Sequence, residues 1–223
     1  MKQVAVIAGT PVDTRMGVEY IERRNREYEI ARVEPLYRPV SEDCDAQIVF
    51  QYAPGDVKRR RMDELFGADM ARGVRDFFIY CNSLSGAFDF DAYAAEKGVN
   101  IYTPLQVYRA LGRRFARVGV VAANNLSAYN IEKNLMRGNE HVYMVGTGNM
   151  VIVHSIEEGL PPAEIVKKCG LEAMVRYFEA NGCECILLGC THFPYLRGEI
   201  ERLTALPLID PADEMFDALL ANP

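Results

Sequence analysis

Two short stretches of the chain resemble one another, FIYCNS at residues 78–83 and LLGCTH at residues 187–192. In each, an apolar run typical of a buried strand leads to a cysteine, and small or polar residues follow. A second pair of matching runs lies upstream, VAVIAGT at residues 4–10 and VGVVAAN at residues 118–124. The chain therefore predicts two similar halves with a repeat of roughly 110 residues.

Apolar strand patterns alternate with segments of helical periodicity, which is typical of βαβ units in an α/β fold with parallel sheets. The predicted strands are residues 4–8, 76–80, 118–121 and 185–188. The predicted helices are residues 17–32, 104–112, 127–136 and 162–180, and residues 9–16 are predicted as a loop. Ligands of such sheets bind beyond the carboxyl ends of the strands. We therefore expect the two strand-end cysteines to line one cleft.

The composition is that of an ordinary folded protein, since 49% of the 223 residues are hydrophobic and 25% are charged. The net charge of −6 argues against a nucleic-acid partner. The apolar runs are far shorter than the roughly 20 residues that a membrane span needs, and residues 10–13 do not form a signal-peptide cleavage site. We expect a cytoplasmic protein with no membrane partner, whose six cysteines are free thiols.

Two thiols in one cleft suit a particular kind of proton transfer. Backbone N–H groups or a helix N-terminus that point at a sulfur lower the pKa of the thiol from about 8.5. If one cysteine is a thiolate and the other a thiol, the pair removes a proton from one face of a carbon and delivers one to the other face. The negative charge that develops needs hydrogen-bond donors. Asn82, Ser83 and Thr191, which follow Cys81 and Cys190, supply such donors.

These motifs resemble those of the cofactor-independent aspartate/glutamate racemase superfamily, and most closely those of glutamate racemases. Residues 80–84, YCNSL, are similar to the A-C-N-T-A motif of that family, and residues 189–196, GCTHFPYL, are similar to its G-C-T-H-Y-P-L-L motif. Weaker similarities lie at residues 127–129, 156–159 and 209–212. The resemblance covers most of the chain.

The resemblance implies roles for the motif residues. Cys81 and Cys190 correspond to the two catalytic bases, with His192 and Glu157 as supporting groups. The expected substrate-binding residues are Asn82, Ser83 and Thr191, together with Thr10 and Asn124 at the matching ends of the first strand of each half.

The first loop departs from the family pattern. Glutamate racemases have a D-S-G loop there, in which an aspartate assists the first cysteine, whereas this chain has Gly9, Thr10 and Pro11. Asp13 is the candidate to replace that aspartate. Arg15, in the same segment, is expected to pair with a side-chain carboxylate of the substrate.

The family also suggests how the chain is divided. We expect two doubly wound subdomains related by pseudo-twofold symmetry, with the active site between them. The first comprises residues 1–98 and 205–223 and carries Cys81, and the second comprises residues 99–204 and carries Cys190.

The expected function is the interconversion of the L and D forms of glutamate or aspartate, with no metal, nucleotide or pyridoxal phosphate cofactor. The expected partners are the amino-acid substrate and a second copy of the chain in a homodimer. The alternatives are isomerisation or decarboxylation of a small dicarboxylate, a Cys–His hydrolase built on His192, and a non-catalytic relative that binds an amino acid. A zinc site would combine Cys183 and Cys185 with Cys190 and His192, but this spacing is not the usual C-x-x-C.

Overall fold

The computed structural model describes residues 2–28 and 33–222. Its strands form two parallel four-stranded sheets. The first sheet contains β1 (Lys2–Ala8), β2 (Val33–Pro39), β3 (Asp76–Ile79) and β4 (Asn100–Tyr102). The second contains β5 (Arg117–Ala122), β6 (Tyr143–Gly148), β7 (Cys185–Gly189) and β8 (Leu208–Ile209). Their orders, β2-β1-β3-β4 and β6-β5-β7-β8, are the same. The predicted α/β fold with two similar halves is therefore confirmed.

The central strands of both sheets are buried over most of their length. Residues 4–8 of β1 are wholly inaccessible to solvent, and β3 and β7 are buried along their whole length. Parallel strands that are covered on both faces read as continuous apolar runs. This explains why the sequence reveals β1, β3, β5 and β7 so clearly.

Helices connect the strands of each sheet. Their bounds are α1 (Pro11–Glu27), α2 (Cys44–Tyr52), α3 (Gly55–Met70), α4 (Asn82–Ala87), α5 (Phe90–Lys97), α6 (Pro104–Arg114), α7 (Asn125–Gly138), α8 (Met150–Glu157), α9 (Pro162–Lys168), α10 (Leu171–Ala180), α11 (Arg197–Glu201) and α12 (Pro211–Ala221). A 3₁₀ turn, Phe193–Leu196, precedes α11.

The first helix begins earlier than predicted. Residues 11–16 were expected in a loop, but α1 begins at Pro11. Thr10 and Asp13 form a capping box, in which each side chain accepts a hydrogen bond from the other's backbone N–H, and proline is well suited to the first helical position. The helix ends at Glu27, and the predicted extension over residues 29–32 lies outside the described residues.

The helix predicted over residues 162–180 is also wrong as a single element. It consists of α9 and α10, separated at Cys169 and Gly170. Gly170 has a φ of 64°, in the left-handed region that glycine adopts without strain. The helix predicted to begin at residue 127 begins instead at Asn125, because Asn124 caps it.

Two compact units divide the chain, Met1–Pro104 with Met215–Pro223, and Leu105–Glu214. Each unit contains one sheet, and we propose that these units are the two subdomains. They end several residues beyond the expected boundaries, because β4 pairs with β3 and β8 pairs with β7. The end of the chain is tied to the first unit by Lys2, whose Nζ donates to the carbonyl oxygen of Asn222 at 2.7 Å.

Each sheet reverses its direction of growth between its two central strands. In the first sheet the chain moves outward from β1 to β2 and then returns to place β3 on the other side of β1. In the second sheet, β5 and β7 have the same relationship. A reversal of this kind opens a crevice at the carboxyl ends of the two central strands, where ligands of α/β sheets bind. Cys81 and Cys190 follow β3 and β7, at these two positions.

Candidate active site

Cys81 caps the helix that follows β3. Its sulfur accepts a hydrogen bond from the backbone N–H of Leu84 at 3.5 Å, and the hydroxyl of Ser83 lies 3.3 Å from it. The thiol is 5% exposed. Donors around a sulfur favour the thiolate, and burial opposes it. The structure therefore brings the hydroxyl of Ser83 into contact with the sulfur of Cys81.

The loop after β1 lies against this thiol. A methyl carbon built on Gly9 would lie 3.2 Å from Sγ of Cys81 and 2.8 Å from Cγ of Gln47. A contact below 3.0 Å is a collision, so only glycine fits at this position without a shift of its neighbours. The first loop thus approaches the cysteine through backbone atoms.

Asp13 binds the backbone of this same loop. Its carboxylate accepts hydrogen bonds from the N–H of Thr10 at 2.6 Å and from the N–H of Gly9 at 3.2 Å, and Oγ1 of Thr10 donates to it at 3.0 Å. Thr10 and Asp13 are both buried. The structure therefore brings Asp13 to the loop that lies beside Cys81.

Two other predicted residues of the first unit have different environments. Asn82 is buried in the first turn of α4, directly after Cys81. Arg15 is exposed on α1, two residues beyond Asp13.

Cys190 begins a chain of three polar side chains in the second unit. Its sulfur lies 3.5 Å from Nδ1 of His192, and Nε2 of His192 lies 3.0 Å from Oε1 of Glu157. Cys190 and His192 are buried. Glu157 is the last residue of α8, so this helix places the carboxylate beside the loop after β7. The structure thus brings Glu157 to Cys190 and His192, although it lies 35 residues before His192 in the sequence.

The order of these groups sets the direction in which a proton can move. A carboxylate only accepts hydrogen bonds, so Glu157 holds a proton on Nε2 of His192. Nδ1 of the neutral ring is then an acceptor that faces the thiol of Cys190. Transfer of the thiol proton to Nδ1 leaves a thiolate beside an imidazolium, and the Glu157 carboxylate stabilises the positive ring.

Asn124 and Thr191 complete the predicted set. The side chain of Asn124 accepts from the N–H of Ser127 at 2.8 Å and so caps α7. Thr191 is buried between Cys190 and His192 in the chain. Asn124 follows β5 as Cys190 follows β7, and Ala122 is paired with Gly189 at the ends of these strands. Both residues therefore lie at the carboxyl edge of the second sheet.

Three of the other cysteines have surroundings that differ from those of Cys81 and Cys190. Burial raises the pKa of Cys185 to about 12, and it also raises the pKa values of Cys183 and Cys169. Cys183 and Cys185 lie at the amino-terminal side of β7, opposite the end that leads to Cys190. These thiols stay protonated at neutral pH.

Sequence reasoning missed Gln47, which lies beside the first cysteine. It is on α2, a helix that was not predicted. Its side chain and the sulfur of Cys81 both lie close to Gly9. The capping residue Asp43 was a usable sequence signal for the helix. The contact itself depends on how the segment after β2 packs beside the loop after β1, and no local pattern reveals that packing.

Solved structures of glutamate and aspartate racemases superpose on this chain. A glutamate racemase from Francisella tularensis, solved in complex with D-glutamate, superposes with a TM-score of 0.74 at 17% sequence identity, covering 99% of this chain and 80% of that one. An aspartate racemase from Picrophilus torridus superposes with a TM-score of 0.72 at 16% identity, covering 99% and 94%. At such identities the similarity establishes the fold.

The sequence itself assigns the family. The family model described as Asp/Glu/Hydantoin racemase matches residues 56–219, and the chain belongs to this family. The matched region includes both Cys81 and Cys190.

Curated relatives with sequence similarity are glutamate racemases. The protein from Acidothermus cellulolyticus is 28% identical over 149 residues, which cover 65% of this chain and 56% of that protein. The protein from Thermus thermophilus is 27% identical over 175 residues, which cover 75% and 63%. The chain thus matches less than two thirds of the length of each of these relatives. In the described residues, no helix is both long enough and apolar enough to span a membrane.

Proposed function

We propose that this protein racemises an acidic amino acid, glutamate or aspartate, without a cofactor, and that Cys81 and Cys190 are the two bases. The observation that carries the proposal is the equivalent position of these cysteines, each following the third strand of its own sheet. The membership of the Asp/Glu/Hydantoin racemase family supports it. So do the curated relatives, which are named glutamate racemases.

In the proposed reaction one cysteine is a thiolate and the other a thiol. The thiolate takes the proton from Cα, and the electron pair of the broken C–H bond moves into the substrate carboxylate. The second cysteine then donates its proton to the opposite face of Cα, so that the configuration is inverted and the two cysteines exchange protonation states. Because both groups have the same chemical nature, the reaction runs in either direction.

The two halves would prepare their thiols differently. For Cys190, His192 accepts the thiol proton, and the Glu157 carboxylate at 3.0 Å stabilises the imidazolium. For Cys81, the N–H of Leu84 and the hydroxyl of Ser83 supply hydrogen bonds to the sulfur. The charge on the substrate carboxylate requires donors that are already in place. We assign this task to Asn82, Ser83, Thr191, Thr10 and Asn124, and we assign a side-chain carboxylate of the substrate to Arg15.

Asp13 supports the first half in this proposal. It holds the N–H groups of Gly9 and Thr10, so it fixes the loop whose backbone lies beside Cys81. We further propose that the enzyme works as a homodimer in the cytoplasm.

The test is racemisation by the wild-type protein and by Cys81→Ser and Cys190→Ser, with a panel of L- and D-amino acids and no added cofactor. We expect the wild type to invert glutamate or aspartate fastest, and each variant to lose at least about a hundredfold in rate, as for loss of a positioned acid or base. Cys169→Ser is the matched control, because this thiol lies outside the proposed site, and it should keep its activity. Racemisation that survives either substitution contradicts the proposal, as does turnover of small dicarboxylates alone.

A further inference from the structure

Gln47 is a buried side chain that the proposed roles do not use. It lies on α2 and is only 4% exposed. Its carbonyl oxygen accepts a hydrogen bond from the hydroxyl of Ser41 at 3.0 Å. Its amide nitrogen Nε2 is buried and has no hydrogen-bond partner among the residues that the structure describes. A buried donor without an acceptor costs free energy, and in a native protein it calls for an explanation.

The position of this amide points to the explanation. A methyl carbon built on Gly9 would lie 2.9 Å from Cδ of Gln47 and 3.2 Å from Sγ of Cys81. The amide carbon and the sulfur therefore both lie close to Gly9 of the first loop. The sulfur itself is not the acceptor, because Nε2 forms no hydrogen bond with it.

The surrounding backbone fixes the side chain in this place. The N–H of Ser41 donates to the carbonyl oxygen of Gly9 at 2.9 Å, so the segment after β2 is joined to the loop after β1. The hydroxyl of Ser41 then holds the carbonyl end of the Gln47 amide. One end of the amide is thus held in the protein, and the other end carries two N–H donors that have no partner among the described residues.

We propose that Gln47 is a substrate-binding residue whose side-chain Nε2 donates a hydrogen bond to a carboxylate oxygen of the substrate. The proposal rests on the proposed function for the class of substrate. A carboxylate fits because it offers only acceptors, and a neutral amide can bind it without placing a cation beside the thiol of Cys81. The unfilled donor of the free protein is then satisfied in the complex.

The experiment uses two substitutions of similar size. Gln47→Met removes the donors and keeps the side chain neutral. Gln47→Glu keeps the oxygen that accepts from Ser41 but presents a carboxylate to the substrate. The control is Gln51→Met, one helical turn further along the buried face of α2, where the side chain is equally buried and has interactions within the protein.

Binding is measured without relying on turnover. Iodoacetamide alkylates Cys81, and mass spectrometry of the peptides measures the rate of alkylation. The half-protecting concentration is the concentration of ligand that halves this rate, and the ligands are L-glutamate, L-alanine and glutarate. KM and kcat for racemisation and the melting temperature are measured on the same samples.

For Gln47→Met we expect the half-protecting concentration and KM for glutamate to rise about tenfold to a hundredfold, as for loss of a hydrogen bond to a charged group. Gln47→Glu should raise both further, since like charges repel. The kcat of Gln47→Met should change less than its KM, and its melting temperature should not fall by more than that of Gln51→Met. An equal effect on glutamate and alanine would assign the α-carboxylate to Gln47, and a weaker effect on alanine alone would assign the distal carboxylate; both outcomes support the proposal.

Unchanged protection in Gln47→Met overturns the proposal, and so does a wild-type protein in which no carboxylate protects Cys81. A fall in melting temperature with unchanged KM would make Gln47 purely structural. The proposed function fails separately: if carboxylates protect Cys81 through Gln47 but no amino acid is racemised, only the racemase assignment is lost.

Discussion

Nε2 of His192 lies 3.0 Å from Oε1 of Glu157, and both side chains are largely shielded from solvent. A hydrogen bond between a ring and a carboxylate in such a place fixes the tautomer of the ring and stabilises its protonated form. We therefore propose His192 as the proton acceptor of the Cys190 half. In the Cys81 half, the bonds described for the sulfur come from a hydroxyl and a backbone N–H.

Replacement of Glu157 by glutamine should weaken the activation of Cys190 and leave that of Cys81 nearly unchanged. Glutamine preserves the shape of the side chain but removes the charge that stabilises the imidazolium. Since a charge-assisted hydrogen bond is roughly twice as strong as a neutral one, we expect about a tenfold slower alkylation of Cys190 at neutral pH. Site-resolved mass spectrometry after iodoacetamide treatment measures both cysteines in one sample.

The control for this variant is Glu158→Gln, which changes an exposed neighbour on the same helix end. It should leave both alkylation rates unchanged. Equal slowing of Cys81 and Cys190 in Glu157→Gln would contradict a role specific to the second half.

A methyl group at Gly9 should damage both stability and activity. In Gly9→Ala the new carbon would lie 2.8 Å from Cγ of Gln47 and 3.2 Å from the sulfur of Cys81. Overpacking of this kind costs about 1–3 kcal/mol of unfolding free energy, and it also fills the space beside the thiol. Urea denaturation and the racemisation rate measure the two effects.

Gly67→Ala is the matched substitution. Gly67 lies in α3, where an added carbon meets nothing within 4 Å. Because alanine is a better helix former, this variant should be more stable than the wild type by up to ~1 kcal/mol and fully active. If Gly9→Ala behaves like Gly67→Ala, the close approach of the loop to Cys81 is wrong.

Asp13 is expected to stabilise the first loop through its carboxylate. Asp13→Ala removes the acceptor for the N–H groups of Gly9 and Thr10, which lie in a buried segment. The loss of a cap typically costs about 0.5–2 kcal/mol, and the loop beside Cys81 becomes less ordered. Calorimetry should therefore show a lower melting temperature. Alkylation of Cys81 or racemisation should also be slower than in the wild type.

Asp56→Ala provides the comparison, because Asp56 lies in the exposed first turn of α3, whose cap makes no side-chain hydrogen bond. A small change in stability and none in activity are expected there. An Asp13→Ala protein with wild-type stability would refute the structural role of the carboxylate.

Cys185 should make the stability of the protein fall at alkaline pH. Burial raises the pKa of this thiol to about 12, against about 9 in the unfolded chain. The unfolded state therefore releases a proton in this interval while the folded state keeps it. The unfolding free energy should fall between pH 9 and pH 12, by up to ~1.4 kcal/mol per pH unit from this group. Below pH 9 the group contributes no slope.

Urea titrations of the wild type and of Cys185→Val at several alkaline pH values isolate this contribution. Valine keeps an apolar group of similar size in the strand, so the variant should have a shallower alkaline decline. Identical slopes in the two proteins would show that Cys185 is not the source.

The sequence allows the cysteine ends of β3 and β7 to be predicted, because buried parallel strands leave continuous apolar runs that stop at polar residues. The residues that follow each cysteine lie at the same end of the strand because they are its neighbours in the chain. The grouping of Cys190, His192 and Glu157 was predicted only from the family resemblance, because Glu157 lies on a helix that is distant in sequence from the other two residues.

Other features escaped prediction for identifiable reasons. The start of α1 was assigned to a loop because glycine and proline at positions 9 and 11 are typical of loops, although Thr10 and Asp13 carried the capping signal. The partly exposed strand β6 contains two glycines, so its pattern resembles a turn. Gln47 meets Gly9 only because α2 packs beside the loop after β1, and such contacts leave no periodic pattern in the sequence.

The measurement that tests the central claim most directly is the fate of the Cα proton in D₂O. The wild-type protein is given a single enantiomer of glutamate or aspartate, and the isotope at Cα is determined in substrate and product at low conversion by chiral separation and mass spectrometry. Two bases predict a product enantiomer that carries deuterium from the outset, while the remaining substrate keeps its protium. A product that retains the original proton would show that one base carries it between the faces, and would contradict the account.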